Sequence, residues 1–552
     1  MSTGFCAGLL LATVSCAWAE EDGEERLDSL LAEVSADRFR AHMSVLADDA
    51  MAGRETGTEG YLAAAQYVAS RFSEFGLAPR GENDGYLQPV PFLSARLESD
   101  SPRFAISRGA KEWLLAFPED YVMSGSFGAA EDSLAAPLVF VGYGIQAPQH
   151  GHDDFAGINV NGKILVRLTG APSRFPADER AFYSSSWVKN GLAVERGAVG
   201  VITVRSPIDL PRLPWQRYLS AIGTSEMRWT WPDGTPFEAF TELVGEAVVS
   251  EAGAAKLFAL ARRDLEALFA RHEGGRTGSF ELGLSASLQK RSLTEQLEAP
   301  NVVAMLPGSD LELSQEYVLY TAHLDHLGVR AGEGGDDIHN GAYDNAAGVA
   351  TILEIARIMA ANPDCARRSV LFAALTGEEK GLQGSSYLAH HPPVPIERIV
   401  AVINIDMPYL GFPFAEVMGL GVEHSTLQAA LEGAAEAAGL DYIPDPRPDL
   451  VRLIRSDQFS FVRRGIPGLN LKPGVVSSDP NIDGGALHEE FLQQHYHRPG
   501  DDLELPFSPE ASERFIRVAL LLGLNVANDN QRPLWNTGDF FGQRFVAGEA
   551  RP

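Results

Sequence analysis

From residue 300 onward, apolar runs of strand length alternate with amphipathic helices, and no other feature of this 552-residue chain restricts its fold as tightly. The run "EYVLYTA" is followed by the helical "NAAGVATILEIARIMAA", then by "SVLFAAL", "IVAVINI" and "IPGLNL". Runs that are apolar at nearly every position are buried on both faces, and strands separated by helices pair in parallel. The expectation is an α/β fold with a doubly wound, mostly parallel sheet.

Upstream the texture differs. "TEGYLAAAQYVASRFSEFGL" places Tyr61, Ala64, Ala65, Val68, Phe72 and Phe75 at helical spacing, with Gly76 as a helix stop. Between residues 119 and 290, short β-rich runs such as "PLVFVGYGI", "GKILVRL" and "AVGVITV" are broken by Gly, Pro and Asp turns, the pattern of an inserted domain. The domain reading is a leader over 1–19, the first part of the main domain over 20–118, an insert over 119–290, the rest of the main domain over 291–530 and a tail over 531–552.

The leader reading rests on an uncharged apolar run from Phe5 to Ala19 that ends in Ala17-Trp18-Ala19, a small-x-small cleavage site. It predicts export, periplasmic or secreted, with a mature chain that starts near Glu20 and has no membrane span of its own. A lipid anchor on Cys16 is the secondary reading, because Thr13-Val14-Ser15 matches the usual lipobox poorly. Cys365 is then alone in the mature chain, so no intrachain disulfide forms. A formal charge of −29 repels nucleic-acid phosphates and anionic membranes, which excludes a nucleic-acid partner.

In parallel sheets ligands gather where the strands end at their carboxyl edge. His323 and Asp325 follow "EYVLYTA", Glu378 and Glu379 follow "SVLFAAL", and Asp406 follows "IVAVINI". Asp344 stands just ahead of a helix in "NGAYDNAAG", and "HYHRPGDD" offers His497. Two imidazoles and three carboxylates without cysteine suit zinc, with manganese or cobalt as substitutes. Five donors exceed one tetrahedral ion with an open position; they suit two ions that share a bridging carboxylate. One of the adjacent glutamates then holds metal while its neighbour accepts the proton of the attacking water. Asp325 is expected to orient His323, and Asp501 to orient His497, through the second ring nitrogen. His326, His339, His390, His391, His488 and His495 are read as structural or exposed, His495 being the competitor of His497. Asp336 and Asp337 are read as a solvated turn, with calcium binding as the alternative. Serine chemistry lacks support, because the chain has no G-x-S-x-G elbow.

The stretches "AHLDHLG", "IHNGAYDNAAGVA", "GEEKGLQGSSYL", "NIDM", "RSDQFSFVRRGIPGL" and "YHRPGDD" lie in that order between residues 300 and 505. In them the chain resembles the secreted di-zinc aminopeptidases of peptidase family M28, relatives of glutamate carboxypeptidase and the transferrin receptor. Residues 137–204 resemble the protease-associated (PA) insert found in such enzymes. The resemblance implies a zinc-exopeptidase-like sheet of the phosphorylase/hydrolase type, two zinc ions and peptide substrates. It implies that Asp344 bridges the ions, with Glu379 and His497 completing one site and His323 and Asp406 the other. Glu378 becomes the general base, Tyr496 a donor to the developing oxyanion, and Arg455 an arginine near the carboxylates. Gln458 departs from the family pattern, where many members carry histidine. The alternatives are a carboxypeptidase or dipeptidase, for which Arg452, Arg455, Arg463 and Arg464 supply basic residues, and a receptor-like relative without metal. Nothing in the sequence sets the oligomeric state.

Overall fold

The structure is a computed structural model that describes residues 20–546, apart from 208–209, 211–213, 275–277, 331–334 and 451. The expected leader over 1–19 lies outside the described residues. Among those described, no helix is long and apolar enough to cross a membrane.

The main sheet is built from β1 (Leu87–Leu97), β2 (Phe280–Leu306), β3 (Tyr317–His323), β4 (Ser369–Leu375), β5 (Ile399–Asn404), β6 (Glu416–Leu420) and β7 (Gly468–Pro473), in the order β1-β2-β4-β3-β5-β7-β6. The four central strands β4, β3, β5 and β7 are parallel; β2 and β6 flank them antiparallel, and β1 pairs antiparallel with β2. β3, β4 and β5 are each buried on both faces, which is why their sequences show no polar alternation. Val318, Tyr320, Val370 and Phe372 face one layer, which holds α1 (Glu59–Glu74), α2 (Ala347–Ala361) and α4 (Pro509–Asn528). Leu319, Leu371 and Ala373 face the other, which includes α3 (Gln383–His390). Helices on both faces make the sheet doubly wound, as expected. The Tyr320 ring stacks on Phe372 at 5.5 Å and its hydroxyl donates to the Ala519 carbonyl, so sheet and α4 are joined by packing and a hydrogen bond together.

β2 runs through two sheets. Its second half, Ser292–Leu306, pairs with β1, whereas Phe280–Arg291 belongs to a second sheet with strands Arg103–Arg108, Glu131–Phe140, Ile164–Leu168, Gly200–Val204 and Gly245–Val249. Leu282, Leu284, Ala286 and Leu288 alternate into the core of this second sheet. The boundary expected at residue 119 is therefore late, since Arg103–Arg108 already pairs with Ser285–Gln289. A second departure is Glu226–Trp229, which leaves the insert and pairs with β1 of the main sheet. Trp229 is buried there against Phe237 and Tyr387, and its indole N–H donates to Ser386 at 3.0 Å. Periodicity shows that a short run is a strand; it does not show which sheet the strand joins.

The tail is a clasp. Phe541 is fully buried and Trp535, Phe540 and Phe545 pack with the insert's core, Phe182 among it. His424 of the main domain reaches Asp178 of the insert at 3.1 Å and Asp539 of the tail at 2.6 Å. Burial would depress its pKa, but the two carboxylates outweigh it and push it up to about 10. The imidazolium thus ties three segments at neutral pH.

Candidate metal centre

The donors converge at the carboxyl edge of β3, β4 and β5. His323 is the last residue of β3, Glu378 and Glu379 follow β4, and Asp406 follows β5. Asp344 lies in the turn that opens α2, and this turn is pressed against the end of β5. A Cβ on Gly348 would stand 2.5 Å from the Ile405 carbonyl and 2.2 Å from Asn345 Oδ1, so no larger residue fits. Asn345 fastens the two segments: its amide donates to the Ile405 carbonyl at 2.8 Å, and its oxygen accepts from the Gly348 and Met407 amides at 3.0 Å each.

Asp344 divides its carboxylate between two groups. Oδ1 lies 3.2 Å from His323 Nε2, which in turn lies 3.5 Å from Asp406 Oδ1. Oδ2 lies 3.2 Å from His497 Nε2, itself 3.2 Å from Glu379 Oε1. Donors about 2.0–2.1 Å from a tetrahedral ion are separated by about 3.3 Å, so both groups have the spacing such an ion needs. The five donors that the resemblance implies are brought together, in two groups that share Asp344.

The supporting residues differ from the sequence expectation. Asp325 does not orient His323, whose Nδ1 faces the Asp325 backbone carbonyl at 3.1 Å while the carboxylate is 4.0 Å away. That carboxylate accepts from the amides of Glu378 at 3.0 Å and Glu379 at 3.2 Å, and from the Thr56 hydroxyl, so it positions the glutamate pair. Asp501 does not reach His497 either. It accepts from the amides of Tyr343 at 2.9 Å and Asp344 at 3.0 Å and so fixes the Asp344 turn. His497 sits at φ +58°, a left-handed conformation for a residue without glycine's freedom, and its ring stacks on Tyr496 at 3.9 Å.

Two further residues belong to the centre that the sequence reading did not place there. His326, read there as structural or exposed, is fully buried, with Nδ1 2.9 Å from Glu379 Oε1 and 4.0 Å from Asp344 Oδ2. His326, Asp344 and Glu379 themselves stand close enough to hold an ion; His326 lies nearer to Glu379, whereas His497 is equidistant from both carboxylates at 3.2 Å. Arg54 is also fully buried and donates to the carbonyls of Leu46, Leu324, Asn340 and Gly341, joining the loops that carry Asp325 and Asp344. The doubled histidine of "HLDH" was the only local signal for the first; nothing local marks the second. His488 lines the cleft beside the centre, and His495 Nδ1 is 2.9 Å from the Gly500 carbonyl, away from the donor groups.

The cleft has a volume of about 860 Å³, and His323, Asp344, Glu378, Asp406, Tyr496, His497 and Arg455 line it. Burial raises the Glu378 pKa well above the ordinary carboxylate range; Glu379 and Asp406 add to this and His323 opposes it. Burial also holds the Tyr496 phenol protonated, as do the charges of Asp344 and Glu379, leaving it a hydrogen-bond donor. Arg463 is turned elsewhere, paired with Glu238 and stacked on Trp187.

The metal-free histidines carry protons. Burial lowers the pKa of each, but Asp344 and Asp406 hold His323 well above its usual range, and Glu379 and Asp344 push His497 up to about 10. Both must lose a proton to coordinate a metal. Zinc loading near neutral pH is therefore expected to release about two protons per chain, and the apparent affinity should rise with pH until the histidines are neutral in the free protein. Calorimetry in buffers of different ionisation enthalpy measures this; metal uptake without proton release would show that the histidines are already neutral in the free protein.

The sequence profile of peptidase family M28 matches residues 301–522, the span that holds every donor. Aminopeptidase YwaD of Bacillus subtilis (strain 168) is 26% identical over 223 residues, which are 40% of this chain and 43% of that protein. A "Probable zinc metalloprotease" of Pyrenophora teres f. teres is 39% identical over 106 residues, 19% of this chain and 22% of that protein. The alignments thus span less than half the length of these curated relatives. Among solved structures, an aminopeptidase from Aneurinibacillus sp. strain AM-1 shares the fold, with a TM-score of 0.51 at 19% identity over 92% of this chain and 97% of that one. With its parallel sheet and its donors at the strand ends, the chain matches the profile of peptidase family M28 across residues 301–522.

Proposed function

We propose that the chain is a zinc-dependent aminopeptidase that removes N-terminal residues from peptides. His323, Asp406 and Asp344 would hold one ion, and Asp344, Glu379 and His497 a second. The observation that carries this reading is the divided Asp344 carboxylate, each oxygen of which faces a separate His/carboxylate pair at 3.2 Å. When bound, the ions supply Lewis acidity toward the scissile carbonyl and a nucleophilic water near neutral pH. Glu378 borders the cleft while its neighbour Glu379 is taken up by His326 and His497, which leaves Glu378 to accept the water's proton and pass it to the leaving amine. Tyr496 donates to the oxygen that gains charge at the scissile carbon. The substrate's α-ammonium sits beside the acidic donor cluster, which favours a free N-terminus. The names of the relatives, aminopeptidase and zinc metalloprotease, agree with this reading. Export of the chain and a PA-type identity for the insert are part of the same proposal, on the motifs of 1–19 and 137–204.

With zinc bound, an aminoacyl amide with a free amine should be hydrolysed and its N-acetyl derivative should not. A chelator should abolish turnover and added zinc restore it. Equal cleavage of the blocked substrate, or no cleavage of any free-amine substrate by zinc-loaded protein, refutes the assignment.

A further inference from the structure

The chain carries a formal charge of −29, yet the wall of the cleft gathers five cationic side chains against four anionic ones. Under the reading above, which this inference rests on, Asp344, Asp406 and Glu378 are committed to holding ions or moving a proton. Of the cations, Arg452 is paired with Asp445. Lys472 and Arg455 are not so balanced.

Lys472 belongs to β7, beside the end of β5. Its ammonium donates to the Asp406 backbone carbonyl, lies 3.4 Å from the Met407 carbonyl and is 3.9 Å from Asp406 Oδ1, its only carboxylate within 4 Å among the described residues. An ion held by Asp406 would neutralise that carboxylate, and a largely buried ammonium without an anion is costly. Two carbonyls engage two of its three N–H groups, leaving one for the cleft. Arg455 closes the short helix Leu453–Arg455, lines the same cleft and makes no ion pair within 4 Å among the described residues. Both line the cleft beside the metal centre, Arg455 exposed to it, and an anion carried by the substrate would complement an ammonium and a guanidinium that the chain leaves with donors to spare. A volume of about 860 Å³ encloses a small molecule, not a long chain.

We infer that the cleft selects peptides carrying a carboxylate one or two residues from the scissile bond, held by Lys472 and Arg455. The carboxylate is either the C-terminus of a di- or tripeptide or the side chain of an acidic residue.

Two substrate pairs separate these sources: leucyl-leucine against its C-terminal amide, and the glutamyl against the glutaminyl derivative of one fluorogenic amine. Zinc-loaded enzyme should favour the carboxylate member of at least one pair by about tenfold or more in kcat/KM, the scale of a charge-assisted hydrogen bond. A response of the first pair identifies the terminal carboxylate, and of the second the acidic side chain. Arg455→Gln and Lys472→Met should each bring that ratio toward one. As a readout independent of turnover, a reduced-amide dipeptide with a free carboxylate should bind about tenfold more tightly than its carboxamide by calorimetry. Ratios near one in both pairs with good turnover, or ratios that survive both substitutions, overturn the inference. If wild type cleaves none of the four substrates, the peptidase reading fails, and equal affinity for the two dipeptide analogues then overturns this inference as well.

Discussion

Glu378→Gln is expected to lower kcat by about 10²–10⁴ while leaving metal content unchanged. The amide keeps the shape of the side chain and the backbone hydrogen bond from the Glu378 amide to Asp325, so the loop that carries Glu379 stays in place. What is lost is the group that takes a proton at the cleft wall. Added zinc should restore nothing, because no ligand has been removed. Elemental analysis of the dialysed variant together with steady-state turnover reads both quantities. Full metal content with wild-type turnover would remove Glu378 from the mechanism; metal loss in this variant would make it a ligand and exchange its role with that of Glu379.

Asp344→Asn should weaken both ions, whereas Glu379→Gln should weaken only one. Asp344 is the one residue whose two oxygens face different donor groups, and an amide offers a single neutral oxygen in place of two anionic ones. Its turn is held independently by Asp501 and Asn345, so the fold should survive the substitution. Removal even of groups that only support ligands typically costs 10–100-fold in affinity, and loss of a bridging ligand should cost at least about that much at each site. Zinc titration of the two variants with a competing chelator decides the matter. If Asp344→Asn loses one ion and retains the other at wild-type affinity, the carboxylate does not bridge. In Glu379→Gln, activity should partly return at high zinc.

The positions of the candidate ligands were legible in the sequence for a simple reason. A strand that is apolar along its whole length has to be buried, and in a parallel sheet its carboxyl end is where the chain emerges, so a polar residue at that point faces the crevice. His323, Glu378, Glu379 and Asp406 are all recognisable in this way, and the match of the surrounding stretches to a known family assigned each of them a partner. The helix over Glu59–Glu74 was legible from its period of 3.6 residues. The tail's packing and the return of Glu226–Trp229 to the main sheet were not, because a short apolar run fits any sheet edge or core that lacks a neighbour.

Residue type and spacing, read along the chain, thus determined an α/β sheet and the candidate donors at its strand ends, since burial and strand direction follow from local periodicity; the five-donor set came from the family resemblance. Which oxygen meets which nitrogen was decided by the tertiary structure alone. Asp325 and Asp501 both stand two to four residues from a metal-site histidine, the spacing that suggests they orient it, yet both turn to backbone amides of other segments because those amides are the nearest donors once the loops pack. His326, Arg54 and Lys472 owe their places to contacts with segments distant in the sequence: Glu379, Gly341 and Asp406 respectively. A hydrogen bond spans about 3 Å and depends on direction, and a side chain's direction is set by everything packed around it rather than by its neighbours in sequence.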